Sequence, residues 1–137
     1  MPITLERARA DASVRDRLET LAQAIRDKDV EALMTHYAPD IVVFDVMPPL
    51  AVRSAGDYRN NFEKWFASMQ GPIDYEMNDL RMSWSENHAF CHFLGHVRGT
   101  RVSGEKVDYW VRVTTCLQRA NGQWLVNHEH VSMPATQ

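Results

Sequence analysis

The chain has 137 residues, 45% of them hydrophobic, and carries 15 Lys and Arg against 18 Asp and Glu, a formal charge of −3. That is one domain's length with apolar mass for a single core, and a charge too mild and too evenly spread for a nucleic-acid surface. No apolar run can span a bilayer, the opening MPITLERARADAS lacks a signal core, and Cys91 and Cys116 fall on separate predicted strands outside any metal-binding spacing, so a reduced cytoplasmic setting is expected.

Ser13 is a candidate N-cap for a first helix, in which Val14, Leu18, Leu21, Ala22 and Ile25 form one apolar stripe. The dozen residues before it read as a loose end, as do Met133 to Gln137. After Lys28, Asp29 can cap a shorter helix that buries Val30, Leu33, Met34 and Tyr37 and stops near Pro39, leaving His36 on the helix surface. Ile41 to Phe44 is a β-branched run, hence a strand. It delivers Asp45 to its end just before Pro48-Pro49, where an acid is placed to face a cavity, although Asp is equally a turn former.

A brief strand over Leu50 to Arg53 precedes a third helix, whose stripe is Tyr58, Phe62, Trp65, Phe66 and Met69. Most of these aromatics read as core, with Tyr58 a candidate ligand contact. Arg59 neighbours the stripe and either turns its donor fork into a pocket or lies in solvent. Gly71-Pro72 breaks the chain before a strand from Ile73 to Trp84. Its apolar parity switches from Ile73, Tyr75 and Met77 to Leu80, Met82 and Trp84, as a β-bulge requires, so the sheet is expected to bend strongly. On the next strand, Asn87 to Thr100, His92 is either a pocket base or a hydrogen-bonded structural histidine.

Gly104 to Ser132 reads as two long strands turned at Ala120-Asn121-Gly122, a hairpin signal. The odd positions Tyr109, Val111, Val113, Thr115 and Leu117, then Leu125, Asn127, Glu129 and Val131, make the more apolar face. That face is expected under the helices. Glu129 is then a carboxyl against an apolar wall, either a general base with a pKa lifted by burial or an acid paired with Arg as architecture. A bulge after Val113 would instead turn Arg112, His128 and His130 inward. His128 and His130 could share a metal, but no third ligand accompanies them, and neither metal nor cofactor is expected.

Helices followed by a bent antiparallel sheet with a long terminal hairpin make an α+β domain with helices on one face. The segments YAPDIVVFDVMPP, AGDYRNNFEKWF, WVRVTTC and GQWLVNHEHVSMP resemble the SnoaL-like and ketosteroid-isomerase-like proteins of the nuclear-transport-factor-two-like superfamily, over nearly the whole chain. The resemblance implies a cone-shaped, cystatin-like fold over one domain, residues 1–137 with an ordered core of about 13–132, its N-terminal helices packed on a strongly bent antiparallel or mixed sheet around a deep apolar pocket. It implies a homodimer through the outer sheet face, where Trp110, Arg112, His128 and His130 would sit. Asp45 matches the isomerases' proton-abstracting acid, and Glu129 falls where SnoaL-like cyclases and related hydrolases place one. The isomerases' oxyanion Tyr and partner acid fall near Ala22 and Thr115, so those donors are absent.

Two functions follow. One is a cofactor-free isomerase, cyclase or dehydratase, in which Asp45 or Glu129 moves a proton α to the carbonyl of an apolar substrate while His92, Asn127 or Thr115 holds the oxyanion. The other is a non-catalytic ligand-binding or association domain, where Arg59 and Arg112 meet an anionic ligand or a neighbouring subunit.

Overall fold

A computed structural model describes residues 5–136, the side chains of residues 6 and 7 excepted. Helix α1 (Leu5–Arg26) and the short α2 (Val30–Met34) lead into β1 (Tyr37–Phe44), α3 (Ala55–Ala67), β2 (Met69–Trp84), β3 (His88–Arg101), β4 (Lys106–Ala120) and β5 (Gln123–Ser132). The strands form one sheet in the order β1-β5-β4-β3-β2. β1 lies parallel to β5 and the other pairs are antiparallel, so the sheet is mixed. The helices cover one face, giving an α+β architecture. Among the described residues no helix is long and apolar enough to cross a membrane.

The predicted stripe of α1 is buried, with Val14, Leu18, Leu21, Ala22 and Ile25 all in the core. The helix is nevertheless already formed at Leu5, so Ser13 is an exposed interior residue and not a cap. Ala8, Arg9, Ala10 and Ala12 are helix formers that carry it outward. The expectation of loose ends also covers residues 1–4 and 137, which lie outside the described residues. Asp29 does cap α2, accepting from Ala32 N at 3.1 Å.

The second helix is shorter than its sequence implies. Tyr37 belongs to β1, and His36, expected on a helix surface, is only 4% exposed. Its carbonyl accepts from Val126 N at 2.9 Å and Tyr37 pairs with Val126, so a partner 89 residues away draws this segment into the sheet. Arg17 Nη1 donates to His36 Nδ1 at 2.9 Å. Burial, helped by the Arg17 charge, holds the imidazole pKa down to about 4.

The brief strand at Leu50 to Arg53 reduces to one bridge, Val43 to Val52. Ser54 caps α3 by accepting from Asp57 N at 3.1 Å. Met69 opens β2, which runs through Gly71-Pro72 and does not break there. The register slips between Gln70 and Asp74 with Gly71 at φ 58, and β2 is an edge strand, where a proline is tolerated. A second slip between Asn78 and Arg81, with Asp79 at φ 59, is the bulge announced by the parity switch.

β4 presents its odd residues to the helices, as expected: Val111, Val113, Thr115 and Leu117 are buried. β5 obeys the expectation only in its second half. Leu125 and Asn127 are half-exposed, while Trp124 and Val126 fill the core. Cys116 pairs with His128 but Leu117 pairs with Val126, so Asn127 is an extra residue, and parity switches there to bring Glu129 inward.

Candidate functional site

The helices and the inner face of the bent sheet enclose a cavity of about 540 Å³. Its walls are apolar because three elements meet there on their buried stripes: Leu18, Leu21 and Ile25 from α1, Phe62 and Trp65 from α3, and Phe93 and Val111 from the sheet. A pocket of this size, greasy with a few convergent polar groups, has the character of a small-molecule site.

The polar groups converge at Glu129, which is 5% exposed. The Tyr58 hydroxyl, from the first turns of α3, donates to Glu129 Oε1 at 2.8 Å. The Thr115 hydroxyl, directly across the β4–β5 ladder, donates to Oε2 at 2.9 Å. Burial drives the carboxyl pKa up, the two hydroxyl bonds pull it back, and the nearby Asp45 charge pushes it up again, leaving it at about 7. Among the described residues no basic side chain pairs with it, so there Glu129 is not part of a Glu–Arg pair of the kind a purely architectural role would use. It can hold or release a proton near neutrality.

Asp45 lines the same cavity from the end of β1. Asn61 Nδ2 donates to its Oδ2 at 2.9 Å, and the Val46 N–H to its Oδ1 at 2.8 Å. Tyr37 packs its ring 5.1 Å from that of Tyr58. Its buried hydroxyl makes no well-formed hydrogen bond among the described residues; Tyr58, beside it, has already committed its proton to Glu129. Burial holds both phenols well above the usual tyrosine range, so they act as neutral hydroxyls.

Of the residues singled out in the sequence, Asp45, Tyr58, Thr115 and Glu129 are thus brought together, and the others lie elsewhere. Arg59 is turned to the surface, bonding Glu63 Oε1 at 3.0 Å and also Glu31, which ties α3 to α2. His92 and Arg112 line a shallow hollow of about 320 Å³ on the outer sheet face, with Arg112 Nε donating to Ser132 Oγ at 3.1 Å. Asn127, at the bulge, reaches Gln118 at 3.4 Å. His128 Nδ1 donates to the Val42 carbonyl at 2.7 Å, and His128 and His130 each set a ring edge-on to Phe44. No group of three metal-ligating side chains converges among the described residues.

Tyr37, Asn61 and Tyr75 also line the cavity and were not singled out. Asn61 was legible, three residues after Tyr58 on the same helix stripe. Tyr37 was hidden by its assignment to a helix.

A family profile described as a SnoaL-like domain matches residues 14–136. Among solved structures, an NTF2-like protein of unknown function from Pseudomonas putida KT2440 is similar at 30% identity, covering 93% of this chain and 88% of that one with a TM-score of 0.83. A ketosteroid isomerase-like protein from Erwinia carotovora atroseptica SCRI1043 shares the fold at 17% identity, TM-score 0.76, over 90% and 96% of the two chains. So does the association domain of CaMKII from C. elegans, at 18% identity, TM-score 0.71, over 93% and 98%. A search of curated proteins gives no significant match.

Proposed function

The chain belongs to the SnoaL-like domain family, and on that premise we infer that it binds an apolar, carbonyl-bearing small molecule in the cavity and shuttles a proton on it with Glu129 as acid and base. The observation that carries this reading is a carboxyl poised at a pKa of about 7 on the wall of an apolar cavity. As the carboxylate, Glu129 accepts a proton from the carbon α to the substrate carbonyl, leaving an enolate. The hydroxyls of Tyr58 and Thr115 take one lone pair on each of its oxygens, so a second lone pair on either oxygen remains to receive the proton. Returning the proton to a different carbon isomerises the substrate. Passing it to a β-hydroxyl expels water and gives a dehydration. Asp45, bonded by Asn61 and the Val46 N–H, adds a smaller upward push to the Glu129 carboxyl behind that of burial.

The test is thermal unfolding of the wild type and Glu129→Gln against enolisable ketones, steroids and aromatic polyketides, followed by solvent-deuterium exchange on any compound that binds. A ligand at a hundred times its dissociation constant adds about 2.7 kcal/mol, on the order of 10 °C for a domain of this size. Exchange at the α carbon that persists unchanged in Glu129→Gln would sink the assignment.

A second reading concerns assembly. The outer face exposes Phe44, Phe90, Leu94 and Trp110, and His96 stacks on Trp110 with centroids 4.1 Å apart. Large apolar side chains grouped on one sheet face mark an interaction surface, and a homo-oligomer through this face is the form it supports. Leu94→Lys should then reduce the mass measured by light scattering to that of one chain; an unchanged mass would remove this face from consideration.

A further inference from the structure

Among the described residues four charged side chains line the cavity, and they are segregated. Asp45 and Glu129 are held by Asn61 and Tyr58, in the first two turns of α3. Lys64 lies in the last turn of the same helix and Arg101 at the end of β3, where Val102 N donates to Ser68 O at 2.9 Å and stitches the strand to the helix terminus. Tyr58, Thr115 and Glu129 are buried and Asp45 is half-buried beside the exposed Val46, whereas Lys64 and Arg101 both reach solvent. The cavity thus holds a buried carboxyl at Glu129 and, away from it, a solvent-reaching cationic rim at Lys64 and Arg101. Tyr58 to Lys64 is about 9 Å of helix axis, and Thr115 to Tyr109 is about 20 Å of strand before the bend shortens it.

The ordinary explanation for cations at a helix C-terminus is that they satisfy its carbonyls. Here Lys28 already does so, with Nζ donating to Met69 O at 2.8 Å and Phe66 O at 3.4 Å. Lys64 makes no ion pair among the described residues. Arg101 has only Glu105 at 3.5 Å, a loose pair with both side chains substantially exposed, of the kind that contributes little. Two cations at the rim of an apolar cavity are thus largely free to meet a charge that the protein does not supply.

Resting on the reading that the cavity binds an apolar carbonyl compound, we propose that its ligands are amphiphilic acids: the apolar body fills the cavity, the reacting carbon lies at Glu129, and an anionic head, carboxylate or phosphate, sits between Lys64 and Arg101. Entry head-first is opposed by Asp45 and Glu129, so the charge pattern also sets the direction of binding.

The experiment compares decanoate, decyl phosphate and 1-decanol, which share one chain and differ in the head, by titration calorimetry at pH 8 with the wild type and the double variant Lys64→Gln/Arg101→Gln. The wild type is expected to bind at least one of the two anions about tenfold more tightly than the alcohol, and the tighter of them identifies the head. The double variant should bring the anions to within about twofold of the alcohol while leaving alcohol binding unchanged, which also reports an intact cavity. Half-molar salt should narrow the wild-type preference. Equal binding of all three, a preference that survives in the double variant, or binding of none of them overturns the proposal. None of these results touches the Glu129 assignment, which stands or falls on deuterium exchange with neutral ketones.

Discussion

Replacing Glu129 by Gln should change the stability of this protein by an amount that depends on pH, and the dependence is the signature of a buried acid. The folded carboxyl keeps its proton to about pH 7, above the ordinary 4.5 of an exposed glutamate, because it is buried against an apolar wall beside Asp45. Between those values the folded state binds more protons than the unfolded state, so stability is fully present below pH 4.5 and is lost as the pH rises through 7. At 1.36 kcal/mol per unit the loss is about 3 kcal/mol. Gln has nearly the same shape: its carbonyl can accept from Tyr58 and its amide can donate to Thr115 Oγ1, which now occupy the two oxygens. Near pH 5 the variant and wild type should therefore lie within about 1 kcal/mol of each other. At pH 8 the variant should be the more stable, by up to about 3 kcal/mol. Urea unfolding followed by tryptophan fluorescence at pH 5, 6, 7 and 8 measures this, and because His36 is common to both proteins its titration cancels in the difference. A difference that stays constant within about 0.5 kcal/mol across the series would mean that Glu129 titrates as an ordinary surface acid, and the site chemistry built on it would fail.

Three further outcomes are expected. Tyr58→Phe removes the 2.8 Å donor from Glu129 Oε1, which should cost about 1–3 kcal/mol at pH 8 and less at pH 5, and should move the pH profile of any Glu129-dependent exchange upward; an unshifted profile would count against the hydrogen bond. Gly95→Ala would place a Cβ 3.0 Å from Val111 Cγ2 and 3.2 Å from Tyr75 Cε1, so overpacking should cost about 1–3 kcal/mol in urea unfolding, and a neutral effect would show that the Tyr75 ring is free to move. His36, held neutral to about pH 4, contributes stability that is present above 6.5 and lost as the pH falls from there toward 4. Measured in the Glu129→Gln background, that limb should amount to about 2 kcal/mol, allowing for partial solvent screening by way of Arg17, and should vanish in His36→Phe.

The elements that rest on a local rule were legible. The stripes of α1 and α3, the Asp29 cap, the bulge beyond Met77 and the inward face of β4 each follow from spacing that a single element imposes on itself. The pairing of Thr115 with Glu129 is not among them: the tight turn at Asn121-Gly122 alone would set Thr115 opposite His128, and only the extra residue at Asn127 brings Glu129 there. What stayed hidden depends on partners far away in the chain. Trp124, Leu125 and Val126 are all apolar, so alternation cannot tell which of them faces the helices, and the slip at Asn127 is decided by the register against Cys116 and Leu117. The segment before Pro39 reads as the end of a helix until β5 arrives to pair with it. Arg59 showed the residue type that a pocket can use, but its neighbours Glu31 and Glu63 give it surface partners that spacing alone ranks no lower.

The extra residue at Asn127 carries a consequence for how such a cavity acquires its reagents. Along an uninterrupted strand beginning at the buried Trp124, the residues facing the cavity would be Val126, His128 and His130, a run ending in two imidazoles. The bulge exchanges that pair for a single carboxyl, with every side chain in the strand retained. A substitution alters one reagent in place, whereas gain or loss of one codon within a strand swaps the whole set on offer. In a sheet whose two faces both bear reactive groups, the reading frame of the backbone is as much a determinant of chemistry as the alphabet written on it.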